Sequence, residues 1–84
     1  MLKVYSLYDN KAEIYNQPLC TKTEVELKES LKYTIEEDEE NAINPVDYDV
    51  FELGEYDPTC GKYDLLEAPK HLFNLKNLIK KEEE

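Results

Sequence analysis

The fold of this chain is decided by residues 44–61, NPVDYDVFELGEYDPTCG. Valine, phenylalanine and tyrosine favour extended structure, so the stretch 49–56 predicts a β-strand. An Asp-Pro pair and a glycine follow and predict a tight turn, after which residues 62–66 predict a second strand. The two strands together predict an antiparallel hairpin. Gly54 within the first strand predicts a bulge or the close approach of another backbone segment.

The N-terminal residues predict two further strands. Residues 2–8 carry apolar side chains on both faces of an extended segment, which favours a place in the interior of a sheet. A turn follows, and residues 12–15 predict a short return strand that ends before Pro18, because proline interrupts the hydrogen-bonded ladder.

A helix is expected over residues 21–36. Thr23 with Glu26 fits a capping box at its start. Thr21 with Glu24 fits the same motif equally well, so both starting positions remain open. An apolar side chain recurs every fourth residue and forms a narrow stripe that would dock on a sheet. The stripe consists of Leu27, Leu31 and Ile35.

A second helix is expected at the C-terminal end, from Pro69 to about Lys81, because proline suits the first position of a helix. Apolar residues share one face of it, namely Leu72, Leu75, Leu78 and Ile79. The sequence therefore predicts an α+β fold: a small, mainly antiparallel sheet of three to four strands, one central helix and a C-terminal helix. We expect a single domain over residues 1–84, with residues 82–84 as a frayed acidic tail.

The net charge of −10 is concentrated in the middle of the chain. Residues 36–67 carry twelve acids against one lysine, whereas residues 1–35 are balanced and residues 68–84 have a net charge of +1. The chain has no arginine, the side chain best suited to bidentate phosphate contacts. The electrostatic field of such a negatively charged chain should repel nucleic-acid backbones, so any DNA contact would be local and would depend on lysine.

Catalysis and metal binding have little support in these residues. His71 is the only histidine, and Cys20 and Cys60 are too far apart for a redox or zinc motif. We expect no enzyme activity, no cofactor and no metal, with both cysteines as thiols and at least one in the core. The longest apolar runs are pairs, so no membrane segment is expected, and the N-terminus does not resemble a secretion signal.

The first candidate site is the acidic run at the end of the central helix. It consists of Glu36, Glu37, Asp38, Glu39 and Glu40. Consecutive carboxylates point in all directions and lack the alternating ligands of a calcium loop, so a solvated loop is the simpler interpretation. The functional alternative is a negative surface that attracts a basic protein or imitates DNA.

The second candidate site is the one stretch in which cations accompany an aromatic ring. It consists of Lys70, Phe73, Lys76, Lys80 and Lys81. On a helix these residues could contact a few phosphates of single-stranded DNA, with weak and salt-sensitive binding. The seven tyrosines mostly lie in strand candidates beside acids, so a structural role is the default interpretation for them.

The segment 44–61 and the opening KVYSLYDNKA, residues 3–12, carry a family resemblance. With these motifs, the chain resembles the small nonstructural proteins of gokushovirus-type single-stranded DNA phages (Microviridae). The resemblance covers nearly the full chain. It implies a protein of the host bacterial cytoplasm that is absent from the mature capsid and acts in viral single-stranded DNA synthesis or packaging. It supplies no binding residues that could be carried over to this sequence.

Two hypotheses about function follow. The chain is either a nonstructural regulatory protein that binds single-stranded DNA through the C-terminal lysines, or an acidic adaptor or DNA mimic. In the second case it would engage a viral or host replication protein without touching DNA. In both cases we expect a homodimer or higher homo-oligomer, because the chain is short and its predicted sheet is apolar on both faces.

Overall fold

The computed structural model describes residues 1–37 and 44–78, which form an antiparallel sheet with one α-helix. The strands are β1 (Leu2–Asp9), β2 (Ile14–Tyr15), β3 (Leu19–Thr21), β4 (Tyr48–Asp57) and β5 (Lys62–Asn74). The helix α1 spans Glu24–Glu37, and short 3-10 helices span Pro45–Asp47 and Leu75–Leu78.

The sheet has the order β2-β1-β4-β5, and β3 also pairs with β1. All of its pairings are antiparallel, which confirms the predicted α+β class and the predicted hairpin. β2 and β3 pair with different parts of β1, where Tyr8 lies opposite Tyr15 and Val4 lies opposite Cys20. The sheet therefore has five strands instead of three to four, and β1 lies in its interior as predicted.

The helix α1 begins at the Thr23–Glu26 capping box, one of the two starting positions that the sequence leaves open. The Thr23 hydroxyl accepts a hydrogen bond from the Glu26 backbone N–H at 3.2 Å, and the Glu26 carboxylate accepts one from the Lys22 N–H at 3.0 Å. The first bond satisfies a backbone donor that a helix start leaves without a partner, and the second ties the residue before the cap to the first turn.

The predicted apolar stripe of α1 faces the sheet. Leu27 and Leu31 are buried and Ile35 is partly buried against the same cluster. The sheet contributes buried Tyr5 and Val50 to this core.

The predicted C-terminal helix is wrong. The strand β5 continues through Pro69 to Asn74, and only one 3-10 turn follows. Pro69 is tolerated because β5 is the edge strand and its register against β4 shifts between Leu65 and Lys70. Residues 79–81 of the expected helix and the expected tail 82–84 lie outside the described residues.

The leucines whose spacing predicted this helix are buried by a different structure. Leu72, Leu75 and Leu78 all contact the core, one from the end of β5 and two from the 3-10 turn. Strand pairing with β4 supplies backbone hydrogen bonds and the same apolar burial, so the tertiary context overrides the helical pattern.

Both cysteines differ from expectation in their burial. Cys20 on β3 and Cys60 in the turn between β4 and β5 are free thiols, and both are exposed instead of lying in the core. Val4, opposite Cys20, is buried in the interior strand, whereas Cys20 belongs to a three-residue strand at the sheet margin. Within the described residues, no helix has the length and apolar character needed to cross a membrane.

Gly54 lies at a bulge, as its position in the strand predicted. Its backbone has φ +151°, a conformation that side chains rarely adopt. A Cβ atom there would lie 2.6 Å from the Cα of Leu65 and would also meet the Asp64 carbonyl oxygen. The two strands of the hairpin therefore approach more closely at Gly54 than any side chain would allow.

We expect Gly54→Ala to lower the free energy of unfolding by about 2 kcal/mol or more, from backbone strain and steric overlap together. Gly61→Ala is the matched control: Gly61 also has positive φ (+75°), but its nearest neighbour to an added Cβ is 4.0 Å away. It should cost only about 1 kcal/mol, the penalty of the left-handed conformation. Urea unfolding followed by circular dichroism measures both variants, and equal losses would show that the close approach is unimportant.

Candidate functional site

The two faces of the sheet have different chemistry. Directly opposed residues of antiparallel strands share a face, so the pairing assigns each strand residue to one side. Leu7, Val50 and Phe73 are opposed and lie on the side that α1 covers. The other side, here named the helix-free face, is formed by Leu2, Val4, Ser6, Tyr8, Tyr15, Cys20, Asp49, Phe51, Gly54, Tyr56, Tyr63, Leu65, His71 and Asn74.

Four rings meet on the helix-free face: Tyr8, Tyr15, Phe51 and His71, here named the aromatic cluster. Tyr15 lies with its ring centroid 4.7 Å from that of Tyr8 and 5.5 Å from that of Phe51. The Phe51 ring contacts His71 edge-on at 5.3 Å. Tyr15 is 42% exposed and His71 is also exposed, so ring surface remains accessible.

The carboxylate of Asp49 holds the edge of this cluster in place. It accepts hydrogen bonds from the Asn10 amide at 2.7 Å, from His71 Nε2 at 3.0 Å and from the Asn74 amide at 3.1 Å. Partial burial acts to raise the pKa of Asp49, but the three hydrogen bonds together outweigh it and hold the pKa below its ordinary value. The ionised carboxylate therefore orients the His71 ring against Phe51.

The helix-free face is almost uncharged, although the chain as a whole is strongly acidic. Among the paired strand residues that form it, Asp49 and His71 are the only ones of acidic or basic type, and they are bonded to each other. The neighbouring acids Glu52 and Glu55 lie on the other side, where Lys3 contacts them at 3.7 Å and 3.6 Å. The sheet thus separates the aromatic rings from the negative charge.

The predicted basic-aromatic patch is not gathered on one helix. Lys70 is exposed on β5 opposite Glu52, and Lys76 is exposed on the 3-10 turn. Phe73 is partly buried against the core, with the Lys28 ammonium 5.2 Å from its ring centroid, so its ring serves packing. Lys80 and Lys81 lie outside the described residues, and the binding role of all five residues stays a prediction.

The acidic candidate site is described only in part. Glu36 and Glu37 form the end of α1, while Asp38, Glu39 and Glu40 lie outside the described residues. Their proposed role in protein interaction stays a prediction. Within residues 1–37 and 44–78, no group of three or more His, Cys, Asp or Glu side chains is arranged to hold a metal ion.

Sequence reasoning missed the aromatic cluster because its members come from distant parts of the chain. Tyr8, Tyr15, Phe51 and His71 lie on four different strands. His71 falls within the predicted C-terminal helix but lies exposed on β5 in the structure. The available signal was alternation within β1 and β4, but only the pairing register shows that these rings share a face.

We expect Asp49→Asn to lower the free energy of unfolding by about 1–3 kcal/mol at neutral pH, because three donors lose their charged acceptor. A lowered folded-state pKa stabilises the protein above the ordinary pKa of about 4 and ceases to do so as pH falls through the folded value. The variant and the wild type should therefore become more similar in urea unfolding at about pH 3. Asp64→Asn, at an exposed carboxylate, is the control and should change little at either pH. An Asp49→Asn loss that is the same at both pH values would contradict this assignment.

Comparison with known proteins identifies a family and nothing more specific. No curated protein and no solved structure matches the chain. The model of one family, described as phage ORF5 protein, matches residues 2–78 and so covers almost all of the sequence. This match confirms the expectation of a bacteriophage protein. The chain belongs to the phage ORF5 protein family.

Proposed function

We propose that this phage protein binds single-stranded DNA through the aromatic cluster and acts in viral DNA synthesis and packaging. The observation that carries the proposal is a group of four rings in mutual contact on a nearly uncharged sheet face, of which Tyr15 and His71 are exposed. Unpaired bases stack on aromatic side chains, and each stacked base contributes about 1–3 kcal/mol. Antiparallel sheets with exposed aromatic residues are a common platform for single-stranded nucleic acid.

The charge of the chain favours single strands over duplex DNA. A net charge of −10 without arginine gives little attraction for a duplex, whose bases are hidden and whose recognition begins with phosphates. Stacking, in contrast, requires bases that are already unpaired. Tyr15 and His71 offer exposed ring surface for that contact.

Lys70 is the best-placed cation for a phosphate that passes the cluster. It directly precedes His71, is exposed, and has no carboxylate within ion-pair distance in the described part of the chain. Its pairing with Glu52 directs it to the helix side, but β5 is the edge strand and a lysine stem is long enough to reach around it. Lys70 is therefore the one residue of the predicted basic-aromatic patch to which this proposal gives a role.

Such binding would influence replication by mass action. A protein that binds the unpaired strand and not the duplex shifts the equilibrium toward the single strand. This is the form of the genome that the resemblance to single-stranded DNA phages implies for packaging.

Fluorescence anisotropy of a labelled oligothymidylate tests the proposal directly. We expect binding at low salt that weakens about 5- to 100-fold in Tyr15→Leu and in Phe51→Leu, because each variant keeps an apolar side chain but loses a ring. Tyr33→Leu is the control, since Tyr33 is 65% exposed on α1, away from the cluster, and should bind as the wild type does. Absence of wild-type binding at low salt would refute direct DNA binding.

The same face could instead be covered by a second copy of the chain, and the variants distinguish the two occupants. Analytical ultracentrifugation measures the oligomeric state. If the wild type is a dimer that persists with added DNA, and Phe51→Leu is a monomer, the cluster is a subunit interface. A protein whose oligomeric state is the same in the wild type and in Phe51→Leu, and whose DNA binding is lost in that variant, fits the proposal.

We expect Lys70→Ala to reduce the salt dependence of binding. For single strands each phosphate contact adds about 0.7 to the slope of log affinity against log salt. The variant should lose about that amount, and Lys32→Ala on α1 should leave the slope unchanged. An unchanged slope in Lys70→Ala would place the phosphate contacts elsewhere.

A second candidate function rests on the acidic middle of the chain. Residues 36–67 have a net charge of −11, which suits a basic, DNA-binding replication protein as partner. Replacement of Glu36, Glu37, Asp38, Glu39 and Glu40 by their amides tests it. If the wild type retains a replication protein from infected cells and the amide variant does not, the adaptor function is favoured. If the amide variant binds DNA as the wild type does, DNA binding through the aromatic cluster is favoured.

A further inference from the structure

We propose that Tyr56 and Tyr63 form a second stacking subsite, so that a bound single strand runs along β4 from the aromatic cluster to the end of the β4–β5 hairpin. The inference rests on the proposed function, because it assigns a path to the same ligand. It concerns residues outside the aromatic cluster, and the family match assigns no role to them.

The two tyrosines form a pair at the far end of the helix-free face. Tyr56 lies opposite Tyr63 across the hairpin and opposite Leu2 on its other side. The ring centroids of Tyr56 and Tyr63 are 4.9 Å apart, and the ring planes are inclined by 49°. Tyr63 is 62% exposed, which leaves most of its ring available to a base.

This pair and the aromatic cluster share one face because the strand β1 connects them without an extra residue. Leu2 lies opposite Tyr56 and Ser6 lies opposite Phe51, and both β1 residues have even numbers in an alternating strand. Four residues of an extended strand span about 13 Å, which is therefore the approximate separation of the two groups of rings. A single nucleotide cannot stack on both groups, but a longer strand can.

The row of paired residues between the two groups is also uncharged. It consists of Val4, Gly54 and Leu65, which form one row across the three long strands. Val4 and Gly54 are buried, so the exposed apolar surface of this row is that of Leu65, which is 59% exposed. Gly54 has no side chain, so nothing projects from the middle of this row.

A cation accompanies the tyrosine pair, as Lys70 accompanies the aromatic cluster. Lys62 directly precedes Tyr63 and is exposed, and no carboxylate of the described residues lies within ion-pair distance of it. The carboxylate opposite it, Asp57, is bonded to Thr59 through both the backbone N–H at 3.0 Å and the hydroxyl at 2.7 Å. Its pairing with Asp57 directs Lys62 to the helix side, but β5 is the edge strand, and the lysine stem is long enough to reach around it to a phosphate beside the Tyr63 ring.

Oligonucleotide length separates the two subsites experimentally. Labelled oligothymidylates of about 4 and about 12 nucleotides fall within the range of about 4–16 nucleotides that is usual for single-strand-binding sites. We expect Tyr63→Leu to weaken binding of the long oligonucleotide about 5- to 20-fold and to leave the short one within about twofold of the wild type. Phe51→Leu should weaken binding of both, and Tyr33→Leu should weaken neither. Lys62→Ala should lower the salt slope by about 0.7 for the long oligonucleotide alone.

Circular dichroism and thermal unfolding show whether each variant keeps its fold, which the exposure of Tyr63 leads us to expect. If Tyr63→Leu binds both lengths as the wild type does, or loses both equally, the second subsite is refuted. The proposed function survives in these cases as long as Phe51→Leu weakens binding. If the folded wild type binds neither length, both proposals are refuted.

Discussion

The pairing of β1 with β4 is the constraint on which the rest of the structure depends. It runs from Leu2 opposite Tyr56 to Asp9 opposite Tyr48, with a single shift of register between Val4 and Tyr5. β1 also pairs with β2 and β3, and β4 also pairs with β5, so every other strand is hydrogen-bonded to a member of this pair. Because side chains alternate between faces, the register of this one pair decides which residues meet α1 and which do not.

The same pairing also distributes the charge. A chain with twice as many acids as lysines has to keep its carboxylates in water or paired, since burial of an unpaired charge is costly. The sheet places Glu52 and Glu55 beside Lys3 and leaves the rings of the helix-free face without acidic neighbours other than Asp49. That carboxylate is compensated by three donors, so its presence among rings is not destabilising.

Sequence reasoning recovered the features that depend on local signals. The hairpin followed from strand formers around an Asp-Pro turn, the helix from its cap and its apolar stripe at four-residue spacing, and the Gly54 bulge from a glycine inside a strand. It failed where a local pattern is compatible with two different structures. The leucines at 72, 75 and 78 suit one face of a helix, yet a strand end followed by a 3-10 turn buries them equally well. It also could not find the aromatic cluster, because a shift of one residue in register would have placed Phe51 on the opposite face.

The four residues 66–69 of β5 have a further consequence, for solubility. They lie opposite the single residue Leu53, so the outer edge of the sheet is interrupted by a wide bulge that contains a proline. An edge strand with exposed Leu65 and Leu66 would otherwise be a template for pairing with the strands of other chains. The bulge and Pro69 break the row of backbone donors and acceptors that such pairing requires. The irregularity in β5 therefore protects a protein with an exposed apolar hairpin from edge-to-edge aggregation.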